Sequence, residues 1–231
     1  MSQRVEQSAG FQFKDVEKRY GPLYALRRLT LEIFPGECVA LTGRNGSGKT
    51  TLLRIATQLA RPTGGSVTYT SLKQDELPAT GYVSHSTMLY DELTAKENLL
   101  LFARLLEIEN PTQRVTTLLA ETGLSSRAAS LVRTFSRGMK QRLAIARALL
   151  HDPTLLFFDE PGTGLDAESM IWLVDTVRSL RDEGRTIVMN LHGESRLSQL
   201  ATRAARLEAG NLVADTRSGA TVQSVFALGE A

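Results

Sequence analysis

Residues 43–50, Gly-Arg-Asn-Gly-Ser-Gly-Lys-Thr, have the residue types and spacing needed to bind a phosphate chain. Glycines let successive backbone N–H groups curl around phosphate oxygens, because no Cβ atom blocks their approach. Lys49 would reach the β- and γ-phosphates, and the Thr50 hydroxyl would hold Mg²⁺. A glycine-rich turn that binds nothing is the alternative. We expect the nucleotide contacts to come from Gly43, Arg44, Asn45, Gly46, Ser47, Gly48, Lys49, Thr50 and Thr51.

Two carboxylates follow a second apolar run, residues 155–158, which reads as a strand buried on both faces. Ligands of open α/β sheets bind at the carboxyl ends of the strands. Asp159 could there hold Mg²⁺ through the water shell of the ion. Glu160, one residue further on, could act as general base toward a water that attacks the γ-phosphate. Alternatively, both carboxylates only cap or solvate a loop.

The segment 135–149 contains a polar, glycine-containing turn that leads into a basic helix. Ser136 could cap this helix, which would leave the first N–H groups free to face an anion. One face of the helix is apolar, and four cations are spread over the other faces: Arg137, Lys140, Arg142 and Arg147. The alternative is an amphipathic surface helix with solvated charges.

The elements that position these residues alternate between strand and helix. A strand leads into residues 43–50, a helical pattern covers residues 49–60, and further strands are predicted at 67–69, 81–83, 155–158 and 186–190. Short strands precede residue 38, residues 93–150 are mostly helical, and a hairpin turns around Gly210. This order predicts an α/β fold with a mainly parallel central sheet.

Composition and charge narrow the possible functions. The chain has 231 residues, ordinary globular composition and a net charge of +2, which is too weak to indicate nucleic-acid binding. Its single cysteine, Cys38, excludes an internal disulfide and reads as a core residue. No apolar run approaches the roughly 18 residues of a membrane span, and residues 1–8 lack the apolar core of a signal peptide. We therefore expect a cytoplasmic protein without direct membrane insertion.

The order of these motifs along the chain resembles the ATP-binding cassette (ABC) family: phosphate loop, Ser-x-Gly, apolar-Asp-Glu, then a late histidine. The resemblance implies a P-loop NTPase fold with an antiparallel β subdomain and a helical subdomain. It suggests one ATPase domain over residues 1–231, with core segments 1–85 and 151–231 and a helical signature subdomain at 86–150. It also implies ATP and Mg²⁺ as cofactors, and a second copy of the chain as partner. In this family the Ser-x-Gly segment of one copy contacts the γ-phosphate held by the other.

Further roles follow from the resemblance, position by position. Tyr20 is similar to the aromatic residue that stacks on adenine, although a buried aromatic at a strand end is the alternative. Ser136 and Gly138, with Gln141, match the signature segment. Asp159 and Glu160 match the Mg²⁺-linked and the catalytic carboxylate. Residues 164–166 resemble the loop that couples the two sites, and His192 resembles the switch histidine that contacts the γ-phosphate.

Three positions depart from the usual pattern of the family. The signature reads Ser-Arg-Gly-Met where Ser-Gly-Gly-Gln is usual, but it keeps the serine and the second glycine. His85 stands where a glutamine usually senses Mg²⁺ and the transport partner, and its imidazole is shorter and titrates near neutral pH. Whether His85 takes over that role is open from sequence. His192 is kept, but Leu191 and Glu194 lie near it in a context where Thr-His-Asp is common.

Within the family, several segments look like the ATPase subunit of the haem exporter of cytochrome c biogenesis: residues 81–85, 89–99, 135–143, 148–153 and 160–166. This resemblance implies integral-membrane, haem-handling partner subunits and a position on the inner face of the cell membrane. ATPase subunits of drug or ion exporters are the alternative. A soluble ABC protein acting on nucleic acid or ribosomes is more remote, and Glu160 argues against a scaffold that holds ATP without hydrolysing it.

Overall fold

The computed structural model describes residues 10–70, 78–193, 195–218 and 221–227. Residues 1–8 and Glu194, both discussed above, lie outside the described residues. The strands are β1 (Gly10–Tyr20), β2 (Leu23–Ile33), β3 (Cys38–Thr42), β4 (Gly64–Thr70), β5 (Thr80–Val83), β6 (Leu155–Asp159), β7 (Thr186–Asn190), β8 (Arg203–Glu208) and β9 (Asn211–Asp215). The helices are α1 (Lys49–Ala56), α2 (Ala95–Leu105), α3 (Pro111–Glu121), α4 (Arg137–Ala148), α5 (Ala167–Asp182) and α6 (Val222–Ala227).

A six-stranded sheet in the order β5-β6-β7-β3-β8-β9 forms the centre of the molecule. All its neighbours pair in parallel except β8 and β9, which form the predicted hairpin. Every residue of β3, β6 and β7 is buried, as expected of strands that are covered on both faces. The predicted α/β fold with a mainly parallel sheet is confirmed. The carboxyl ends of the five parallel strands meet at one edge of this sheet.

A second sheet, in the order β2-β1-β4, is antiparallel. Its strands β1 and β2 are longer than the short strands predicted from the broken alternation of their sequences. Phe11 and Phe13 of β1 join the same hydrophobic core as Leu52 of α1 and Phe157 of β6. The ring centroids of Phe11 and Phe157 are 5.5 Å apart. The phosphate-loop helix α1 therefore packs in the core that the two sheets share.

Local signals set most helix ends. Ser136 caps α4 as predicted, because its Oγ accepts a hydrogen bond from the backbone N–H of Met139 at 3.2 Å. Asp166 caps α5 in the same way through the N–H of Ser169 at 2.8 Å. Helix α1 ends at Ala56, four residues before the predicted end. Gln58, with φ at +60°, turns the chain out of the helix.

Helix α4 is more deeply buried than its charge pattern indicates. Arg147, one of the four cations on the other faces of this helix, is 9% exposed. Its guanidinium donates hydrogen bonds to the carbonyl oxygens of Met88 at 2.7 Å and Tyr82 at 3.3 Å. For Arg147 the alternative of a solvated surface charge is wrong, because the loop after β5 covers this side of the helix.

Candidate active site

The phosphate loop, residues 43–50, connects the end of β3 to the start of α1. Gly43 has a φ of +132°, and a Cβ atom at this position would lie 2.1 Å from the backbone oxygen of Leu207 in β8. No other residue type fits there without displacing the strand. On its far side the loop is tied to the β8–β9 turn, where the N–H of Gly210 donates to the Ser47 carbonyl at 3.1 Å.

Lys49 begins α1 and is 4% exposed. Its ammonium donates to the carbonyl oxygens of Gly43 at 2.5 Å and Arg44 at 3.0 Å, so it lies inside the curl of the loop. Burial lowers the pKa of Lys49; the Glu160 and Asp159 carboxylates oppose this, and the positive charge of Arg206 adds to it. The lysine is therefore held close to both carboxylates that the sequence singled out.

Asp159 ends β6 and is 2% exposed. Its Oδ1 accepts hydrogen bonds from the Thr50 hydroxyl at 3.0 Å and from Nδ2 of Asn190 at 2.6 Å. Its Oδ2 accepts one from the Tyr82 hydroxyl at 3.1 Å. Burial first, and then the Asp159 charge and hydrogen bond, raise the pKa of Tyr82 well above its usual range. A buried carboxylate with three donors is held in one orientation.

Asn190 and Tyr82 were missed by the sequence reasoning. Both lie at the carboxyl-terminal end of a strand of the central sheet, which was the signal that could have found them. Tyr82 pairs with Phe157 across β5 and β6, and Asp159 pairs with Asn190 across β6 and β7. Parallel register thus places both donors beside the carboxylate.

Glu160 follows Asp159 directly and has a φ of +53°. His192 Nε2 donates a hydrogen bond to Glu160 Oε1 at 2.7 Å, and His85 Nδ1 lies 3.6 Å from Oε2. Burial acts to raise the pKa of Glu160, but the hydrogen bond and charge of His192, followed by His85 and Lys49, lower it on balance. The carboxylate lies between two imidazoles and stays ionised at neutral pH.

A cleft of about 410 Å³ opens between the phosphate loop and Tyr20. Tyr20 ends β1 and is 48% exposed, so the alternative of a buried strand-end aromatic is wrong. The cleft is also lined by Leu23, Tyr24, Ala25, Asn45, Gly46, Ser47, Gly48, Lys49, Thr50, Thr51, Glu160 and Asn190. Its polar floor and its exposed ring at the rim match the shape of a nucleotide, with phosphates at one end and a flat base at the other.

Ser136 and Gly138 are not among the residues that line this cleft. Gly138 packs tightly on the start of α5, where a Cβ atom would lie 2.0 Å from Ser169 Oγ. Arg137, exposed at the first position of α4, lies over Gly164, within 3 Å of the place that a Cβ atom there would take. The signature segment and residues 164–166 thus form one surface.

Thr50 and Asp159 offer a hydroxyl and a carboxylate oxygen 3.0 Å apart. Hard oxygen donors of this kind suit Mg²⁺, which commonly takes one or two protein ligands beside phosphate oxygens and water. Within the described residues there is no cluster of three or more His, Cys, Asp or Glu side chains suited to a metal ion. The pair therefore fits an ion that arrives with nucleotide. None of the described helices has the length and apolar character needed to span a membrane.

Comparison with known proteins agrees with this geometry. A family model described as ABC transporter matches residues 26–163. Nod factor export ATP-binding protein I of Burkholderia orbicola is 35% identical over 226 residues, which cover 94% of this chain and 73% of that protein. The protein of the same name from Rhizobium etli is 36% identical over 219 residues, covering 89% and 67%.

Solved structures agree as well. The ATP-binding subunit of an ABC transporter superposes with a TM-score of 0.81 at 27% identity, covering 95% of this chain and 98% of that one. A bacterial ABC transporter cassette solved as a dimer gives 0.80 at 28% identity, covering 89% and 97%. The matched residues contain both the phosphate loop and the carboxylates Asp159 and Glu160. This chain belongs to the ABC transporter family and is an ATP-hydrolysing cassette, the ATP-binding subunit of a transporter.

Proposed function

We propose that this chain is the motor subunit of an ABC exporter, in which two copies close on ATP, hydrolyse it and drive integral-membrane subunits. The observation that carries the proposal is the position of Glu160. Its carboxylate lines the nucleotide-sized cleft, lies beside the phosphate loop and is oriented by His192 at 2.7 Å. A protein that only stored ATP would have no use for an oriented, ionised carboxylate there.

The binding roles follow from the cleft. Residues 43–51 would hold the phosphate chain through backbone N–H groups and the Lys49 ammonium. Tyr20 would stack on the adenine ring at the open rim. Thr50 and Asp159 would hold Mg²⁺, which when bound neutralises charge on the phosphate oxygens. Asn190 and Tyr82 would fix the orientation of Asp159 by the hydrogen bonds described above.

The catalytic roles belong to Glu160 and His192. Glu160 would take a proton from water as the water oxygen bonds to the γ-phosphorus and the bond to the bridging oxygen of ADP breaks. The net lowering of its pKa keeps Glu160 ionised and able to accept this proton. His192 would orient the carboxylate of Glu160 and contact the γ-phosphate. His85, 3.6 Å from the other oxygen of Glu160, would take part in nucleotide binding.

A second copy would complete the site. Ser136 and Gly138 lie outside the cleft that residues 45–51 line, so in this proposal they face the nucleotide of the partner copy. A related bacterial cassette, 28% identical, was solved as a dimer, which supports this arrangement. The division into a core at 1–85 and 151–231 and a helical subdomain at 86–150 stays a prediction of the same kind.

The identity of the exported compound is the more specific part of the proposal. The relatives named for Nod factor export support an export function. The sequence segments around His85 and Ser136 favour haem as cargo and haem-handling membrane partners. Under either assignment the chain would work in the cytoplasm, on the inner face of the cell membrane, through its partners and without contact to nucleic acid.

Two variants test the motor. Glu160→Gln should bind ATP, lose turnover and accumulate as a dimer in size-exclusion chromatography with ATP and Mg²⁺. Ser136→Arg should bind ATP as a monomer but fail to dimerise in the Glu160→Gln background. Wild-type hydrolysis in Glu160→Gln would refute the general base, and an unimpaired dimer in the double variant would refute the composite site.

The cargo is tested by the membrane proteins that co-purify with the tagged chain from detergent-solubilised membranes of its own cells. Haem-handling subunits, recognised by their haem absorbance, would support the haem exporter. A membrane subunit without haem that exports another compound would overturn that finer assignment and leave the motor intact.

A further inference from the structure

Arg206 in β8 is a buried cation that forms no ion pair with the described carboxylates. It is 6% exposed, and its Nη1 atom has no hydrogen-bond partner within the part of the chain that the structure describes. The other buried arginines all have partners: Arg203 pairs with Glu37 and Asp215, Arg185 with Asp152 and Glu183, and Arg147 with two carbonyl oxygens. A buried cationic nitrogen without a hydrogen bond costs stability, so it calls for a ligand.

The position of Arg206 indicates which ligand. It pairs in register with Thr42, the last residue of β3, and the phosphate loop begins at the next residue. The carbonyl oxygen of the neighbouring Leu207 lies 2.1 Å from the place that a Cβ atom of Gly43 would take. In the β8–β9 turn, the N–H of Gly210 donates to the Ser47 carbonyl. The charge of Arg206 also acts on the Lys49 ammonium, which lies inside the loop. The backbone of Arg206 therefore lies one strand away from the place where we put the phosphates, behind the cleft rather than in its lining.

We propose that Arg206 is a second, buried cation of the nucleotide site, and that it selects for the more highly charged triphosphate. This inference rests on the proposed phosphate-binding role of residues 43–50. Charges interact strongly across a protein interior, because its effective dielectric constant is far below that of water. A phosphate chain in the loop would supply the negative charge that Arg206 lacks. ATP carries one more negative charge than ADP, so Arg206 should strengthen the binding of ATP more than that of ADP.

The same arrangement predicts that removing the charge keeps or raises the stability of the folded protein but weakens nucleotide binding. Replacing an unpaired buried charge by an apolar side chain of similar length removes a cost of the folded state. Arg206→Met should therefore melt at the same temperature as the wild type or higher, while it binds nucleotide less well. A residue with only a structural role would show the opposite: loss of stability with unchanged nucleotide preference.

The test measures the dissociation constants of AMP-PNP and ADP, each with Mg²⁺, together with thermal melting. Arg206→Met should weaken AMP-PNP binding on the order of tenfold, and ADP binding less. Arg206→Lys keeps the charge and should retain most of the affinity. Arg185→Met removes a buried arginine that has partners and lies at the opposite end of the sheet, and it should leave both dissociation constants unchanged.

Three results separate the possible failures. Unchanged AMP-PNP and ADP affinities in Arg206→Met overturn the inference. Equal weakening for both nucleotides overturns the triphosphate preference. If Arg206→Met does not fold, the charge is needed for structure and the inference fails, unless Arg206→Gln folds and shows the same selective loss. Unchanged affinity in Lys49→Ala would instead refute the phosphate-loop assignment on which the inference rests.

Discussion

Replacing Tyr82 by phenylalanine tests how Asp159 is held. Only the hydroxyl is removed, so the ring can keep its packing. Thr50 and Asn190 both bond Oδ1 of Asp159, and Tyr82 is the one donor to Oδ2 among the residues that the structure describes. Asp159 is 2% exposed, so water cannot readily replace the lost donor. Tyr82→Phe therefore leaves one oxygen of a buried carboxylate without a hydrogen bond.

The expected cost follows from these contacts. A hydrogen bond to a charged group contributes about 1.5–3 kcal/mol to stability, and burial places this bond in the upper half of that range. For a chain of this length, the upper half of that range, about 2.3–3 kcal/mol, corresponds to a loss of about 5–12 °C in melting temperature. Because Asp159 would also be less firmly oriented, half-maximal ATP turnover should require more Mg²⁺.

Tyr69→Phe is the matched control. The Tyr69 hydroxyl donates to the neutral backbone oxygen of Ala56 at 2.9 Å, away from the carboxylates. A neutral pair contributes about 1 kcal/mol, so the melting temperature should fall by half as much or less. Thermal melting followed by circular dichroism, with ATPase titrations in Mg²⁺, compares the two variants. If Tyr82→Phe loses no more stability than Tyr69→Phe and keeps its Mg²⁺ dependence, the argument for a clamped Asp159 is wrong.

Three further predictions concern other parts of the chain. His192→Ala removes the hydrogen bond and charge that lower the pKa of Glu160, so the acid limb of the ATPase rate should move to higher pH. Burial lowers the pKa of His151, so the unfolded chain binds the extra proton first, and stability measured by urea unfolding should fall as pH drops below about 6.5. Gly138→Ala places a methyl group 2.0 Å from Ser169 Oγ and should cost about 1–3 kcal/mol in the same urea assay.

Each of these has a control and a contrary outcome. An acid limb that stays in place in His192→Ala would show that His192 does not set the ionisation of Glu160. His151→Gln should reduce the loss of stability between pH 6.5 and lower pH, and an identical loss would assign it to other groups. Ser169→Gly should relieve Gly138→Ala in the double variant; additive losses would contradict the proposed clash.

Much of the site could be predicted because its signals are local. The phosphate loop is eight consecutive residues between a strand and a helix, and Asp159 and Glu160 are adjacent to a recognisable strand. The caps Ser136 and Asp166 each bond to a backbone three residues ahead, so they too are visible in a short window. In all these cases the partners are close in sequence.

Two of the three donors around Asp159 could not be predicted from such local signals. Tyr82 and Asn190 reach it only through the register of β5, β6 and β7, which local patterns do not determine. The burial of Arg147 and of Arg206 was equally hidden, because a charged residue in a short helix or strand normally predicts solvent exposure. Long-range pairing decided these positions.

The order in which the chain is made bears on when the phosphate loop can form. β3 is flanked by strands that follow much later: Cys38 pairs with Ile187, and Val39 with Arg203. Gly210, which comes later still, donates its N–H to the Ser47 carbonyl of the loop. On the ribosome, residues 43–50 therefore emerge long before their neighbours, and contacts of such sequence separation form slowly. We therefore expect a nascent chain to bind nucleotide only after β7, β8 and Gly210 have been made.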